Sequence, residues 1–379
     1  MWVRHLRLTD FRSYEDLTVT LEQGPVTLVG ANGQGKTNVV EAIGYLATLG
    51  SHRVASDAPL VRQGAERAVV GAEIVKDDRA IVIELEINPG KANRARLNRA
   101  AATRARDILG LLQCVIFAPE DLALVKGDPS DRRKFLDDVL VQRSPRMQAV
   151  KADYDRILKQ RNSLLKSAHG ARRASRESVL ATLHVWDEQL AAVGADLAAA
   201  RVALVDSLAP LAAQHYSRIA GGDAAVSDNQ MRIEYNCTAL PALVHSADRE
   251  EWSSGMATAI ESRRDDELDR GVTLVGPHRD DLSIVLGDFP AKGFASHGES
   301  WSMALALRLA CIDLMRADGD DPVLILDDVF AELDAARRRF LLESVQGVSQ
   351  VIITAAVGED VPEQLAGQRL TVTKGHVDA

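Results

Sequence analysis

Short apolar runs bounded by turn residues open the chain. Trp2 to Leu8, Val26 to Val29, Ala68 to Val75, Ala80 to Ile87 and Cys114 to Phe117 have strand lengths and β-branched content, so roughly the first 125 residues read as sheet. From about Ser130 to Ala220 the period changes. Met147, Val150, Tyr154, Ile157 and Leu164 follow three-and-four spacing, and Leu190, Leu197, Leu204 and Leu211 recur every seven residues, the mark of helices packed along a narrow seam. The polar break from Ser167 to Ser178 predicts an antiparallel pair, with neither arm above about 36 residues. Strand patterns return at Thr273 to Val275, Leu282 to Val285, Val323 to Leu326, Val351 to Thr354 and Leu370 to Thr373.

This pattern predicts an α/β protein in which residues 1–128 and 269–379 form one head around an inserted helical arm at 129–268. At 379 residues, 46% hydrophobic and 26% charged, the chain can bury such a core. Cys114, Cys237 and Cys311 are scattered and never form a C-x-x-C pair, which argues against a disulfide framework or a zinc site. No apolar run approaches the ~20 residues of a membrane span, and Arg4, Arg7 and Asp10 interrupt the start, so a soluble cytoplasmic protein without membrane partners is expected.

Candidate chemistry begins after the second strand run. Gly30-Ala31-Asn32-Gly33-Gln34-Gly35-Lys36-Thr37 is a G-x-x-x-x-G-K-T phosphate loop between the strand Pro25 to Val29 and a helix expected from Thr37 to Leu49. In such a loop the backbone N–H groups and the helix N-terminus wrap phosphates, the lysine reaches the β- and γ-phosphates, and the threonine hydroxyl sits on Mg²⁺. Far downstream, Val323 to Leu326 ends in Asp327-Asp328, the form of a Walker B strand whose first carboxylate serves the metal and whose second handles the attacking water. Lys36 and Asp327 must meet at one Mg²⁺·ATP, which is why the halves must fold together. Ser296-His297-Gly298-Glu299-Ser300 opens a helix expected over Trp301 to Leu314, and Ala331-Glu332-Leu333-Asp334 follows Walker B.

Net charge is −9, so any nucleic-acid contact must be local. Lys91, Arg94, Arg96, Arg99, Arg104 and Arg106 occur in a stretch without an acidic residue, and a second stretch holds Arg156, Lys159, Arg161, Lys166, Arg172, Arg173 and Arg176.

Together these features resemble the ABC-type ATPases of the SMC class, and within it the bacterial recombination mediators. The likeness rests on Leu6 to Tyr14, Gly30 to Glu41, Ser51-His52-Arg53, Phe117 to Asp137, Gln160 to Lys166, Thr273 to Leu282 and Leu324 to Asp334. It implies a weak, DNA-stimulated ATPase using ATP and Mg²⁺, and an ATP-dependent homodimer on double-stranded DNA and gap junctions. Its implied partners are RecR and, through it, RecO and recombinase. The implied nucleotide contacts are Gly30, Asn32, Gly33, Gly35, Lys36, Thr37, Asn38, Arg12 and Ser13, with Ser296 and Gly298 acting across the dimer. Thr37 and Asp327 serve the metal, while Asp328, Lys36 and, at a Q-loop position, Glu120 serve catalysis. DNA contacts are expected at Arg94, Arg96, Arg99 and Arg104. The chain departs from the class pattern at Glu299 and Ser300, at Thr354 where transport ATPases carry a switch histidine, and at Asp328 where many relatives have Glu. A DNA-bound scaffold using ATP only as a dimerisation ligand, or a transporter-type subunit, shares the core motifs.

Overall fold

The two ends of the chain interleave in one sheet. Strands β1 (Trp2–Phe11), β2 (Tyr14–Thr20), β4 (Ala68–Lys76), β5 (Arg79–Ile87), β6 (Arg94–Leu97) and β7 (Thr103–Arg104) form an antiparallel sheet in the order 2-1-4-5-6-7. A second sheet takes β3 (Gly24–Val29) and β8 (Cys114–Phe117) from the N-terminal part, and β12 (Val323–Asp327), β13 (Gln350–Ala355), β14 (Gln368–Thr373) and β15 (His376–Asp378) from the C-terminal part. Its order is 15-14-3-13-12-8, parallel except for the edge strand β15. β12 and β13 are buried at every residue, as strands covered on both faces must be, and this explains their unbroken apolar runs. The antiparallel strands alternate instead: β4 buries Ala68, Val70, Ala72 and Ile74 and leaves the residues between them less covered.

One apolar cluster seals both sheets. Val39, Ile43 and Leu46 of the helix Lys36–Thr48 belong to it, with Val26, Leu28, Ile325 and Ile352 from the parallel sheet and Leu6, Leu8, Val70 and Leu85 from the antiparallel one. The buried amide of Gln350 adds a polar tie, accepting from Val3 N–H and donating to the carbonyls of Val3 and Glu22.

The computed structural model describes residues 1–100, 103–169, 173–221 and 230–378. It separates into a first unit of Met1–Val125, Leu211–Gln230 and Ala295–Ala379 and a second of Lys126–Pro210 and Met231–Phe294. The insertion therefore differs from the expected 129–268. Residues 269–294 fall in the second unit because β10 (Asp281–Leu286) pairs antiparallel with β9 (Met231–Asn236) and with β11 (Phe289–Pro290), a three-stranded sheet of which only β10 shows in the sequence pattern. Thr273 to Val275 is not a strand. Its backbone is satisfied by side chains: Thr273 N–H donates to Asn162 Oδ1 at 2.8 Å and Leu274 N–H to Glu267 Oε1 at 2.6 Å. The helical arms are Arg146–His169 and Arg173–Ile219, so helix enters the expected break Ser167 to Ser178 from both sides, and the second arm, at 47 residues, exceeds the expected length. That helix continues through Pro210, and the division between units falls at this residue.

A buried charge cluster pins the two arms. Arg161 is fully buried and donates to Asp187 at 2.7 Å, to Glu267 at 2.6 Å and to the Thr273 hydroxyl at 2.9 Å. Arg161 therefore cannot belong to a DNA-binding face. Arg156, Lys159 and Lys166 are exposed, and Arg172 lies outside the described residues. Replacing Arg161 with methionine should leave the buried Glu267 without its cation and Asp187 with Arg264 alone, at 3.0 Å, and cost about 3 to 5 kcal/mol. Urea unfolding of the full chain, followed by far-UV circular dichroism, will show this as an earlier helical transition.

Candidate nucleotide site

Parallel strands present the groups at their carboxyl ends to a common crevice. β3 ends in the phosphate loop, β12 in Asp327, β13 in Ala355, and β8 runs into the turn Pro119–Asp121 that carries Glu120. The loop backbone needs its glycines. Gly33 and Gly35 have φ of 82° and 114°, and a Cβ on Gly35 would lie 2.8 Å from the Tyr14 hydroxyl. A Cβ on Gly30 would lie 2.3 Å from the carbonyl oxygen of Val372 in β14. Asn32 and Gly33 form the exposed tip. Lys36 is buried, and its ammonium folds back onto the Gly30 carbonyl at 2.7 Å, inside the loop where an anion would be held. At the start of the helix Lys36–Thr48 the N–H groups of Lys36 and Thr37 suit phosphate oxygens, while Asn38 N–H donates to the Gly35 carbonyl at 3.0 Å.

The carboxylates of β12 meet this loop. Thr37 Oγ1 donates to Asp327 Oδ1 at 3.2 Å, across 290 residues of sequence. Thr354, directly opposite Asp327 in β13, donates to the same oxygen at 2.6 Å and accepts the Asp328 N–H at 2.9 Å. Burial pushes the Asp327 carboxyl up to about 6, helped by the neighbouring charges of Asp328 and Glu120 and opposed by the two threonine hydroxyls. A carboxylate so placed gains from a cation. Among the described residues no group of three or more His, Cys, Asp or Glu side chains could hold a metal alone. The oxygens of Thr37 and Asp327 instead suit Mg²⁺, which takes few protein ligands and completes its octahedron with phosphate and water. Asp328 is only partly buried and has φ of 52°, a left-handed conformation uncommon outside glycine, which sets its side chain apart from that of Asp327.

Arg12 and Ser13 reach the loop from the β1–β2 turn. Ser13 Oγ accepts from Asn38 Nδ2 at 2.9 Å, and the Tyr14 hydroxyl donates to Gly35 O at 3.2 Å. Arg12 does not point freely into the crevice. It forms a two-pronged pair with Glu41, at 2.8 and 2.6 Å. Glu41 is fully buried and also accepts from Ser51 Oγ at 2.5 Å, with Arg53 at 3.6 Å; Arg53 in turn lies 3.8 Å from Glu120. Glu41, Ser51, Arg53 and Thr354 are site residues that motif reading left without roles. A charged residue between Val40 and Ala42, in the middle of an apolar helix, was the available signal for Glu41. His52 beside them is partly buried, its Nε2 atom is buried and unpaired, and burial pulls its imidazole down to about 4, so it is neutral at pH 7.

Ser296 and Gly298 sit apart from this cluster. Ser296 caps the helix His297–Ala317, accepting from Glu299 N–H while the Glu299 carboxylate accepts from Ser296 N–H. Glu299, the departure from the class pattern, thus completes a capping box. A Cβ on Gly298 would lie 2.7 Å from the guanidinium of Arg337, which donates to Ser302 and pairs with Asp334 after Walker B and would have to shift. Among the described residues no hydrogen bond joins Ser296 or Gly298 to the phosphate loop of the same chain. The basic stretch is also modified by the fold. Arg94 and Arg96 lie opposite Glu86 and Glu84 in the β5–β6 register, with Arg96 3.5 Å from Glu84, so half of the expected DNA row faces carboxylates contributed by the neighbouring strand. Arg99, at φ of 64° in the turn after β6, and Arg104 are exposed.

Comparison with known proteins places these features in a family. The model of the RecF/RecN/SMC N-terminal domain matches residues 2–375. A protein of Frankia alni called DNA replication and repair protein RecF is 58% identical over 380 residues, covering 100% of this chain and 99% of its own. Its namesake in Streptomyces avermitilis is 56% identical over 379 residues with full coverage of both. Among solved structures, the recombination mediator protein RecF with ATP, of the RecFOR pathway, superposes with a TM-score of 0.87 at 26% identity, covering 100% of this chain and 97% of that one. The Smc head domain of Pyrococcus furiosus, at 17% identity and a TM-score of 0.52, shares the fold over 100% of this chain and 95% of its own. With this match along nearly its whole length, the chain belongs to the RecF/RecN/SMC family and its fold is that of an SMC-class ATPase head.

Proposed function

We propose that this protein is an ATP-dependent recombination mediator of the RecF type. It binds ATP with Mg²⁺, closes as a homodimer on double-stranded DNA at gap junctions, hydrolyses ATP slowly, and acts with RecR, and through it RecO, to load recombinase. The observation that carries this reading is the junction of Thr37, Asp327 and Thr354, which unites a phosphate loop and a Walker B strand from opposite ends of the chain. The matches to DNA replication and repair proteins named RecF, over the full chain, support the biological role.

The parts divide the work. Lys36 and the first-turn N–H groups hold the β- and γ-phosphates, and Thr37 and Asp327 supply the protein oxygens for Mg²⁺, which would neutralise the phosphates when bound. Asp328 orients the attacking water; its short arm accounts for slow turnover, and Glu120, paired with Arg53, stands in reserve. Ser296 and Gly298, exposed or partly exposed at a helix N-terminus, serve the γ-phosphate held by a partner subunit. The DNA contact falls to Arg99 and Arg104 with Lys91 and Arg106, which face solvent, more than to Arg94 and Arg96.

Three measurements test this. Asp328→Asn should slow phosphate release by about 10²-fold, the loss expected of a general base, and prolong the ATP-bound dimer; unchanged steady-state turnover would move the role to Glu120. In Ser296→Arg, ATP affinity by equilibrium dialysis should match the parent while ATP-dependent dimerisation in sedimentation disappears. A normal dimer would refute the action across subunits. Finally, Arg99→Glu with Arg104→Glu should flatten the salt dependence of duplex binding by roughly one unit of slope for each DNA phosphate left unneutralised. Fluorescence anisotropy across a salt series gives that slope, and a parent-like value would assign the DNA face elsewhere.

A further inference from the structure

The phosphate loop is enclosed by a ring of contacts centred on one buried carboxylate. Arg12 is chelated by Glu41, Arg53 approaches the same carboxylate at 3.6 Å, and Arg53 Nη1 donates to Asn38 Oδ1 at 3.4 Å. Asn38 donates to Ser13, the neighbour of Arg12, which closes the ring beside Gly35. Glu41 is the acid at the centre of this ring, and its side chain has no solvent exposure. Burial would push its carboxyl up, but hydrogen bonds from Arg12 and Ser51 and the charges of Arg12 and Arg53 outweigh that and hold it below the usual range.

Packing alone does not call for an acid here. Val39, Val40, Ala42 and Ile43 on the same helix are fully buried and apolar, and a buried charge is retained at a cost that a hydrophobic residue would avoid. What Glu41 adds is placement of two cations. Arg12 has φ of 54°, a backbone conformation held by its N–H bond to Leu60 O and by the pair with Glu41. Arg53 is a third exposed and looser, and it links the ring to Glu120.

We propose that Glu41 is a positioning residue for ATP hydrolysis, acting through Arg53: it fixes the guanidinium that sets Glu120 beside the Walker B carboxylates. This rests on the ATPase reading above. β8 runs parallel to β12 with Phe117 opposite Leu326, so the turn Pro119–Asp121 carries Glu120 past the same end of the sheet as Asp327 and Asp328, and the place of Arg53 governs how much negative charge that end carries. Loss of Glu41 leaves Arg53 free to collapse onto Glu120, while Arg12, which also loses its pair, is still held by its Nη1 bond to Pro59 O at 3.0 Å and its N–H bond to Leu60 O at 2.7 Å.

The consequence is a split between binding and turnover. In the full-length protein, Glu41→Gln keeps the shape and removes one negative charge from the surroundings of a polyanion. ATP affinity should stay within about twofold of the parent or tighten, while kcat falls about tenfold or more. Arg53→Gln should lower kcat similarly, and the double variant should be no slower than the slower single one, because both break one link. Effects on kcat that multiply, a parent-like kcat in Glu41→Gln, or binding stoichiometry and kcat that fall in proportion as the folded fraction declines would each overturn the proposal. Should Glu41→Gln not fold, Ser51→Ala, which removes one hydrogen bond to the same carboxylate and the acceptor of the Arg53 and Val54 N–H groups, must show the split in milder form, and its absence there counts equally against the proposal. Lys36→Ala separates the two readings. A parent without Lys36-dependent hydrolysis overturns the ATPase assignment and this proposal with it, whereas an active parent beside a parent-like Glu41→Gln overturns the proposal alone.

Discussion

The parallel register that sets Ala355 against Val29 and Thr354 against Asp327 brings the ends of β3, β13 and β12 to one level, and the site depends on that alignment. A slip of one residue would turn Asp327 to the opposite face of β12 and replace it with its neighbour. Hydrogen bonds along the strands resist such a slip, and so does the apolar cluster, because each of Val26, Leu28, Ile325 and Ile352 would have to change sides. Thr354 then fastens the alignment with a side chain, gripping the carboxylate of Asp327 and the backbone of Asp328 together. Catalytic geometry here is inherited from sheet geometry.

Charge is buried in both units for different ends. In the second unit Arg161 is held by two carboxylates and a hydroxyl and joins the two helical arms. In the first unit Glu41 is shared by two arginines and a serine, one of the arginines held tightly and one loosely. The first arrangement is sealed from solvent. The second keeps a guanidinium within reach of the crevice.

The phosphate loop, the Walker B strand and the interleaving of chain ends were legible in the sequence because each is a local pattern whose chemistry demands a distant partner. Strand runs such as Val323 to Leu326 were legible because burial on both faces leaves no polar position to confuse the period. Three things were not. Thr273 to Val275 looks like a strand, yet its backbone is satisfied by Asn162 and Glu267, a solution that no local pattern encodes. β9 was missed, although Met231, Ile233 and Tyr235 alternate, because it follows a polar stretch and finds its partner 45 residues later. The basic row from Lys91 onward appeared unopposed because its counter-charges, Glu84 and Glu86, belong to the adjacent strand and enter only through register.

The interleaved sheet also constrains how the protein is made. β3 finds both its neighbours, β13 and β14, more than 300 residues downstream, so as synthesis proceeds from the N-terminus the phosphate loop strand emerges long before anything that can pair with it. The second unit, Lys126–Pro210 with Met231–Phe294, is entirely translated before β13 and β14 emerge. A chain that stops before Thr354 lacks the strand that pairs with β3 and the hydroxyl that fastens Asp327, so the parts of the nucleotide site come together only late in synthesis.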